Sequence, residues 1–371
     1  MKQSLIALAT VALALSHSAG AEPAGKAAID PNQPYTATMG AGVTYDVSFD
    51  VVFTAPYGTK KAEVWLPVPL SDKVQQLEAY RTEPAALSDE VEPLYQNHLV
   101  HFSYDKPQGG QIIKQSFKVT THELRWDLDP EKATMVKEWP ESFAKYLRNE
   151  QNVVVDERAK KLARKIVGEE KNPIRQSRLI MAWIMKTLNY DHNTCSLEAS
   201  SVWALDKKAG HCSDYHGLAT ALGRAVGIPG RVTYGINPLP KNSPTHCKVE
   251  YYFAGYGWVS FDVSETQKMV KKIANDTTLD AAAKAEKTKA ITDRFEKGFR
   301  DNTWYKIAHG TSYPLVPAAK SGTPPLVRTA FIEADGKPLQ DPDPGNGNLR
   351  EFAWMTVAHF TPSQPVEYPF K

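Results

Sequence analysis

Residues Ala209 to Arg231 read "AGHCSDYHGLATALGRAVGIPGR", and this stretch decides the fold. Tyr215, Leu218, Ala219, Leu222, Ala225 and Val226 recur at helical spacing and mark one apolar face. Gly227 is placed to take the left-handed conformation after the last turn, and Pro229 forbids continuation. The helix therefore starts near Cys212. Unpaired N–H groups and the positive end of the helix dipole stabilise a thiolate there. Taken alone, the position leaves Cys212 as a buried filler, half of a disulfide, a metal ligand or a nucleophile. A nucleophilic thiol also needs a partner base.

Downstream, "THCKVEYYFAGYGWVSFDV" (Thr245 to Val263) reads as two strands joined by a turn around Gly255. A turn centred on Ala254, with the loop Phe253-Ala254-Gly255, sets His246 directly across from Asp262, with Cβ atoms about 4.5–5.5 Å apart. A carboxylate beside an imidazole fixes its tautomer and stabilises its charged form. Side chains alternate along a strand. Lys248, Glu250, Tyr252, Trp258 and Ser260 therefore share the His246/Asp262 face. Cys247, Val249, Tyr251, Val259, Phe261 and Val263 share the opposite, apolar face. Cys247 is expected to be a buried filler and Cys212 the reactive thiol. Cys212 and His216 are four apart on one helix, but this fits no closed zinc spacing, and no metal site is expected. A Cys195–Cys247 disulfide requires the Cys195 loop to cross the core, and that pairing stays open.

"GHCSDYHGLATALGRAVGIPGR" followed by "HCKVEYYFAGYGWVSFDVSET" resembles the bacterial transglutaminase-like family, part of the papain-like superfamily. The resemblance is close over about 180–262. It implies that Cys212, His246 and Asp262 are catalytic. Three departures bear on substrate choice. Lys248 stands where relatives often have Trp, His211 where a small or polar residue is usual, and no glutamine lies just upstream of Cys212. The Cys212 N–H is then one oxyanion donor, and Tyr190 and Trp203 are candidates for the second. Lys248 and Trp258 are candidate substrate-binding residues, Lys248 for a carboxylate near the scissile bond.

The family likeness implies attack by Cys212 on a peptide or side-chain amide of a protein through a thioester, and because nothing in the sequence specifies an amine site, a cysteine hydrolase, peptidase- or amidase-like, is expected. The alternatives are a protein-glutamine transamidase, which passes the acyl group to an amine, and a non-catalytic binding or assembly module. No cofactor or calcium motif is present.

The remaining sequence frames this core. Lys2, the apolar run Leu5 to Leu15 and the Ala19-Gly20-Ala21 site read as a signal peptide over 1–21. The expected location is periplasmic or secreted. No later run reaches the roughly 18 apolar residues of a membrane span. A net charge of +2 on 371 residues gives no reason to expect nucleic-acid binding. Nothing in the pattern sets an oligomeric state.

After a polar linker over 22–34, Val43, Tyr45, Val47, Phe49, Val51 and Phe53 alternate as in a half-buried strand. "AEVWLPVPL", "HLVHFSYD" and "IIKQSFKVTT" continue an antiparallel β-sandwich over 35–140, with Pro67 and Pro69 placing the second strand's end at an edge. Helical spacing returns at Ala159 to Val167, and Asn172-Pro173 opens another helix. The catalytic domain spans 141–268, a helical connector 269–300 and a C-terminal β extension 301–371. "VRTAFIEADG" and "FAWMTVAHF" form late strands around the loop "DPDPGNGN". The fold class is α+β: a sandwich, then a papain-like transglutaminase core, then late strands.

Overall fold

The computed structural model describes residues 29–133, 135–239, 244–340 and 354–370. The expected signal peptide, linker residues 22–28 and the loop "DPDPGNGN" lie outside the described residues. Strand β1 (Thr38–Thr54) carries the predicted alternation, and Val43, Tyr45, Val47, Phe49, Val51 and Phe53 are all buried. Next come β2 (Lys61–Pro67), β3 (Gln75–Glu83), β4 (Ser88–Val91), β5 (His98–Asp105) and β6 (Gly110–Arg125). The three quoted segments after β1 supply β2, β5 and β6. Apolar alternation does not mark β3 and β4, because charged residues interrupt it.

Helix α1 (Glu157–Val167) presents Ala159, Ala163 and Val167 inward. Helix α2 (Pro173–Thr187) starts as expected, with Asn172 Oδ1 accepting from the N–H groups of Ile174 at 3.0 Å and Arg175 at 3.2 Å. The short strand β7 (Asn189–Tyr190), α3 (Ser201–Lys207) and the short strand β8 (Ala209–Gly210) lead into α4 (Cys212–Ala225). Strands β9 (Gly230–Ile236), β10 (Thr245–Phe253) and β11 (Gly257–Phe261) follow, then α5 (Val263–Asn275) and α6 (Ala281–Lys297). The chain ends with β12 (Phe299–Arg300), β13 (Tyr305–His309), β14 (Phe331–Ala334), β15 (Lys337–Pro338) and β16 (Trp354–Pro362).

Two five-stranded sheets make the sandwich. One runs β12-β6-β1-β16 with β3 also on β6, and the other runs β15-β14-β2-β5-β4. The late strands therefore join sheets begun some 300 residues earlier, with Tyr45 opposite Pro362 and Trp65 opposite Phe331. Strand β2 is internal where β14 covers it, up to Trp65. Beyond that point only β5 flanks it, so Pro67 leaves no ladder partner without a donor on the open side.

The third sheet, β11-β10-β9-β13, holds α4 against one face. Segment 299–306 ties this sheet to the sandwich. Thr121 Oγ1 donates to Trp304 O at 3.2 Å. The buried Gln75 amide exchanges two 2.7 Å hydrogen bonds with the Lys306 backbone. These backbone groups would otherwise be buried without partners.

Candidate active site

Cys212 is the first residue of α4, so its N–H has no intrahelical acceptor. A capping box holds this end: Ser213 N–H donates to His211 Nδ1 at 3.2 Å, and His211 N–H donates to Asp214 Oδ2 at 3.2 Å. Asp214 also accepts from Ser196, through its backbone N–H at 3.1 Å and through its hydroxyl. Gly210 makes room for this carboxylate, since a Cβ there would lie 2.5 Å from Asp214 Cβ. Cys212 keeps 9% exposure, whereas Cys247 has none.

The hairpin differs from its expected register while keeping its parity. Phe253 pairs with Gly257 and Val249 with Phe261, so the loop is Ala254-Gly255-Tyr256. Gly255 and Gly257 both take positive φ, at 89° and 69°, which places the turn one residue later than expected. Continued past Phe261, this register sets Asp262 opposite Lys248 and diagonal to His246. The shift is two residues in pairing, so the faces are unchanged. His246 Nε2 still meets Asp262 Oδ2, at 2.6 Å. The diagonal reach is possible because Asp262 has left the strand and caps α5, with its Oδ1 accepting the Glu265 N–H at 3.0 Å.

Asp262 takes Nε2, which leaves His246 Nδ1 to face the thiol. Cys212 and His246 act on each other's ionisation, the charged form of each favouring the charged form of the other. The imidazole is fixed from behind as well, because Trp304 Nε1 donates to His246 O at 3.1 Å. Gly235, opposite His246, permits that approach: a Cβ there would lie 2.4 Å from the Trp304 ring.

The electrostatics favour an ion pair. A hydrogen bond from Cys247 contributes most to holding the Cys212 thiol well below the usual range; burial opposes it, and His211 and His246 reinforce it. Burial acts against a charged His246, but the Asp262 carboxylate and Cys212 outweigh it and raise the imidazole to about 9. Burial likewise opposes ionised Asp262, and His246 and Lys248 hold it well below the carboxylate range.

The other expected residues fall in different places. Lys248 does not present its ammonium to a substrate. It is buried, with Nζ 2.8 Å from Asp262 Oδ2 and 3.0 Å from Asp301 Oδ2, and two carboxylates inside the protein occupy it. Trp258 corrects the other substrate-binding expectation. It lies at the turn end of the hairpin, roughly 13 Å along the strand from Asp262, stacked under Arg231 at 4.0 Å, with Nε1 donating to Pro31 O. Tyr190 lies beside the thiol: β7 pairs it with Gly210, and its ring packs on Tyr215 and under Lys268 Nζ. Trp203 Nε1 is buried without a partner among the described residues. None of the three cysteines forms a disulfide, and Cys195 Sγ donates to His192 O at 3.0 Å. Cys247 is buried as expected, yet it touches both Cys212 and His216, so it is not an inert filler.

The sequence pattern does not point to Asp301, Trp304 or the contacts of His216. Asp301 and Trp304 come from a segment some 40 residues after the hairpin, and no local periodicity links them to it. Among the described residues no group of His, Cys, Asp and Glu could hold a metal ion.

Residues 160–263 match the transglutaminase-like superfamily. An uncharacterised protein of Haemophilus influenzae is 24% identical over 340 positions, which cover 80% of this chain and 87% of the relative. A crystal structure of a "putative cysteine protease" from Cytophaga hutchinsonii has a TM-score of 0.60 at 16% identity and covers 90% of this chain and 95% of that one. The periplasmic domain of TgpA from Pseudomonas aeruginosa is more distant, with a TM-score of 0.36 at 15% identity over 63% of this chain and 91% of that domain. The Cytophaga match shows a shared fold, and fold alone does not assign chemistry. The matched segment runs from α1 to the start of α5 and contains the Cys212 helix, the His246 hairpin and Asp262, so it is this core that is similar to the transglutaminase-like superfamily.

Proposed function

We propose that the protein is an exported cysteine hydrolase that cleaves a peptide or side-chain amide through a thioester on Cys212. One observation carries this reading. A thiol at a helix N-terminus is paired electrostatically with an imidazole whose Nε2 lies 2.6 Å from a buried carboxylate. That is the arrangement of nucleophile, base and orienting group.

The Cys212 thiolate attacks the amide carbonyl carbon, and the π electrons move to oxygen. The Cys212 N–H receives this oxyanion, and Tyr190 is the better-placed candidate for the second donor because it borders the thiol. Protonated His246 gives its proton to the leaving nitrogen, the C–N bond breaks, and a thioester remains. Neutral His246 then takes a proton from water, which attacks the thioester. The second adduct collapses, the C–S bond breaks to expel the Cys212 thiolate, the acid is released, and His246 keeps the proton it took from water, which restores the ion pair. Asp262 stays ionised throughout, holding the tautomer and stabilising each imidazolium. Export is proposed on the charged start, apolar run and A-x-A site of residues 1–21. Among the described residues no helix is long and apolar enough to cross a membrane.

The test is mass spectrometry of wild-type protein and Cys212→Ala after incubation with a peptide-amide library. An acyl adduct on Cys212 and released acid are expected only with the wild type. Full turnover by Cys212→Ala sinks the reading.

A further inference from the structure

Cys247 follows His246 in β10, faces the opposite way, and lies between two reactive groups. His216 Nδ1, one turn into α4, is 3.3 Å from Cys247 Sγ. Cys212 and Cys247 belong to one buried apolar cluster with Ala221, Val232 and Tyr234, and each sulfur acts on the ionisation of the other.

The direction of each hydrogen bond follows from the surroundings. His216 Nε2 lies 3.1 Å from the Val263 backbone nitrogen. A backbone N–H only donates, so Nε2 accepts and carries no proton. His216 is fully buried. Burial contributes most to lowering its imidazole to about 4, so the ring is neutral at neutral pH and its single proton sits on Nδ1. Nδ1–H therefore donates to the Cys247 sulfur. Burial and the neighbouring Cys212 sulfur push the Cys247 thiol up, so it keeps its own proton. That proton is left to point at Cys212.

We propose that Cys247 is a positioning residue for the nucleophile: neutral His216 orients its sulfur, and its S–H donates to the Cys212 thiolate. This rests on Cys212 being the nucleophile. No covalent bond changes at Cys247, and its proton stays in place through turnover. The benefit is greatest in acid, where the thiolate fraction limits the rate. The other titratable groups that act on or are acted on by the Cys212 sulfur are His211 at the helix cap, His216 on α4, His246 on β10, Tyr190 on β7 and Tyr234 on β9, and changing Cys247 alters none of these side chains.

Alkylation of Cys212 by iodoacetamide, followed by peptide mass from pH 5 to 9, tests this in wild type, Cys247→Ala and Cys247→Ser. Cys247→Ala should react about tenfold more slowly at pH 6, the cost of one donor to a charged sulfur, and converge with the wild type by pH 9. Cys247→Ser retains a donor and should recover most of the rate. A measurement on unaltered Cys247 guards against misfolding. In a Cys195→Ser background the infrared S–H stretch should shift when Cys212 is alkylated. Superimposable wild-type and Cys247→Ala profiles, a Cys247→Ser variant as slow as Cys247→Ala, or a stretch indifferent to Cys212 alkylation overturns the proposal. Wild-type turnover that survives Cys212 alkylation overturns instead the hydrolase reading beneath it.

Discussion

Lys248 Nζ lies 2.8 Å from Asp262 Oδ2, the same oxygen that meets His246 Nε2. The lysine thus helps to neutralise the carboxylate that orients the imidazole, and Asp301 balances the remaining charge. Lys248→Met leaves two buried carboxylates without their shared cation. Loss of one partner from a buried pair costs about 3–5 kcal/mol, to be read from urea unfolding. KM for acidic and neutral peptide amides should change alike. A selective loss for acidic substrates would instead place the ammonium in a subsite.

Asp262→Asn keeps a side chain able to cap α5 but removes the charge facing His246. Turnover should fall by about 10²–10⁴ with the circular dichroism unchanged. Unchanged turnover would remove Asp262 from the mechanism.

The pH profile should be bell-shaped, with limbs that belong to the coupled Cys212–His246 pair. The acid limb lies below the ordinary thiol range, because Cys212 is depressed. The basic limb lies near 9, where His246 loses its proton. The stability contribution of His246 has the same sense. Its folded value is raised, so that contribution is complete below the unfolded imidazole value of about 6.5. It is lost as pH rises through about 9. Rates and melting temperatures measured from pH 6 to 10 check both, and a basic limb near 6.5 would contradict the assigned environment.

Glu250 provides the acid-side counterpart. Arg231 holds its Oε2 at 2.7 and 2.8 Å, and Tyr35 donates to Oε1 at 2.6 Å. Burial opposes ionisation, but Arg231 and Lys306 bring the carboxyl down to about 2. Its contribution is present above the unfolded value of about 4.3 and is lost as pH falls toward 2. Glu250→Gln leaves Arg231 buried and unpaired, which costs about 3–5 kcal/mol at pH 7. In urea unfolding the gap from wild type should narrow by pH 3. A constant gap would show that Glu250 is not ionised in the fold.

The sequence revealed what alternation and helix punctuation govern. The β1 core residues, the Asn172 cap and the faces of the β10–β11 hairpin all follow from local periodicity. The hairpin register did not, because two glycines lie near the turn and either can take its left-handed position. Parity survived that ambiguity, since moving a three-residue loop by one shifts the pairing by two. The surroundings of Lys248 were not legible in the sequence, because a strand face shows only which way a side chain points. Its partner Asp301 lies 53 residues away, and only the tertiary fold brings it near.

The sandwich closes late. Tyr45 pairs with Pro362 and Trp65 with Phe331, so β1 and β2 each present an unpaired edge until chain far beyond the Cys212 helix is available. A chain emerging from its N-terminus holds two long, apolar strands with open ladders while the intervening residues are made. Such edges are templates for association between chains, and pairings of this sequence separation form slowly. A ribosome-bound or truncated chain ending before Phe331 would therefore carry an intact Cys212–His246–Asp262 segment beside an incomplete sandwich. Its vulnerability would be self-association during biogenesis rather than loss of the site residues.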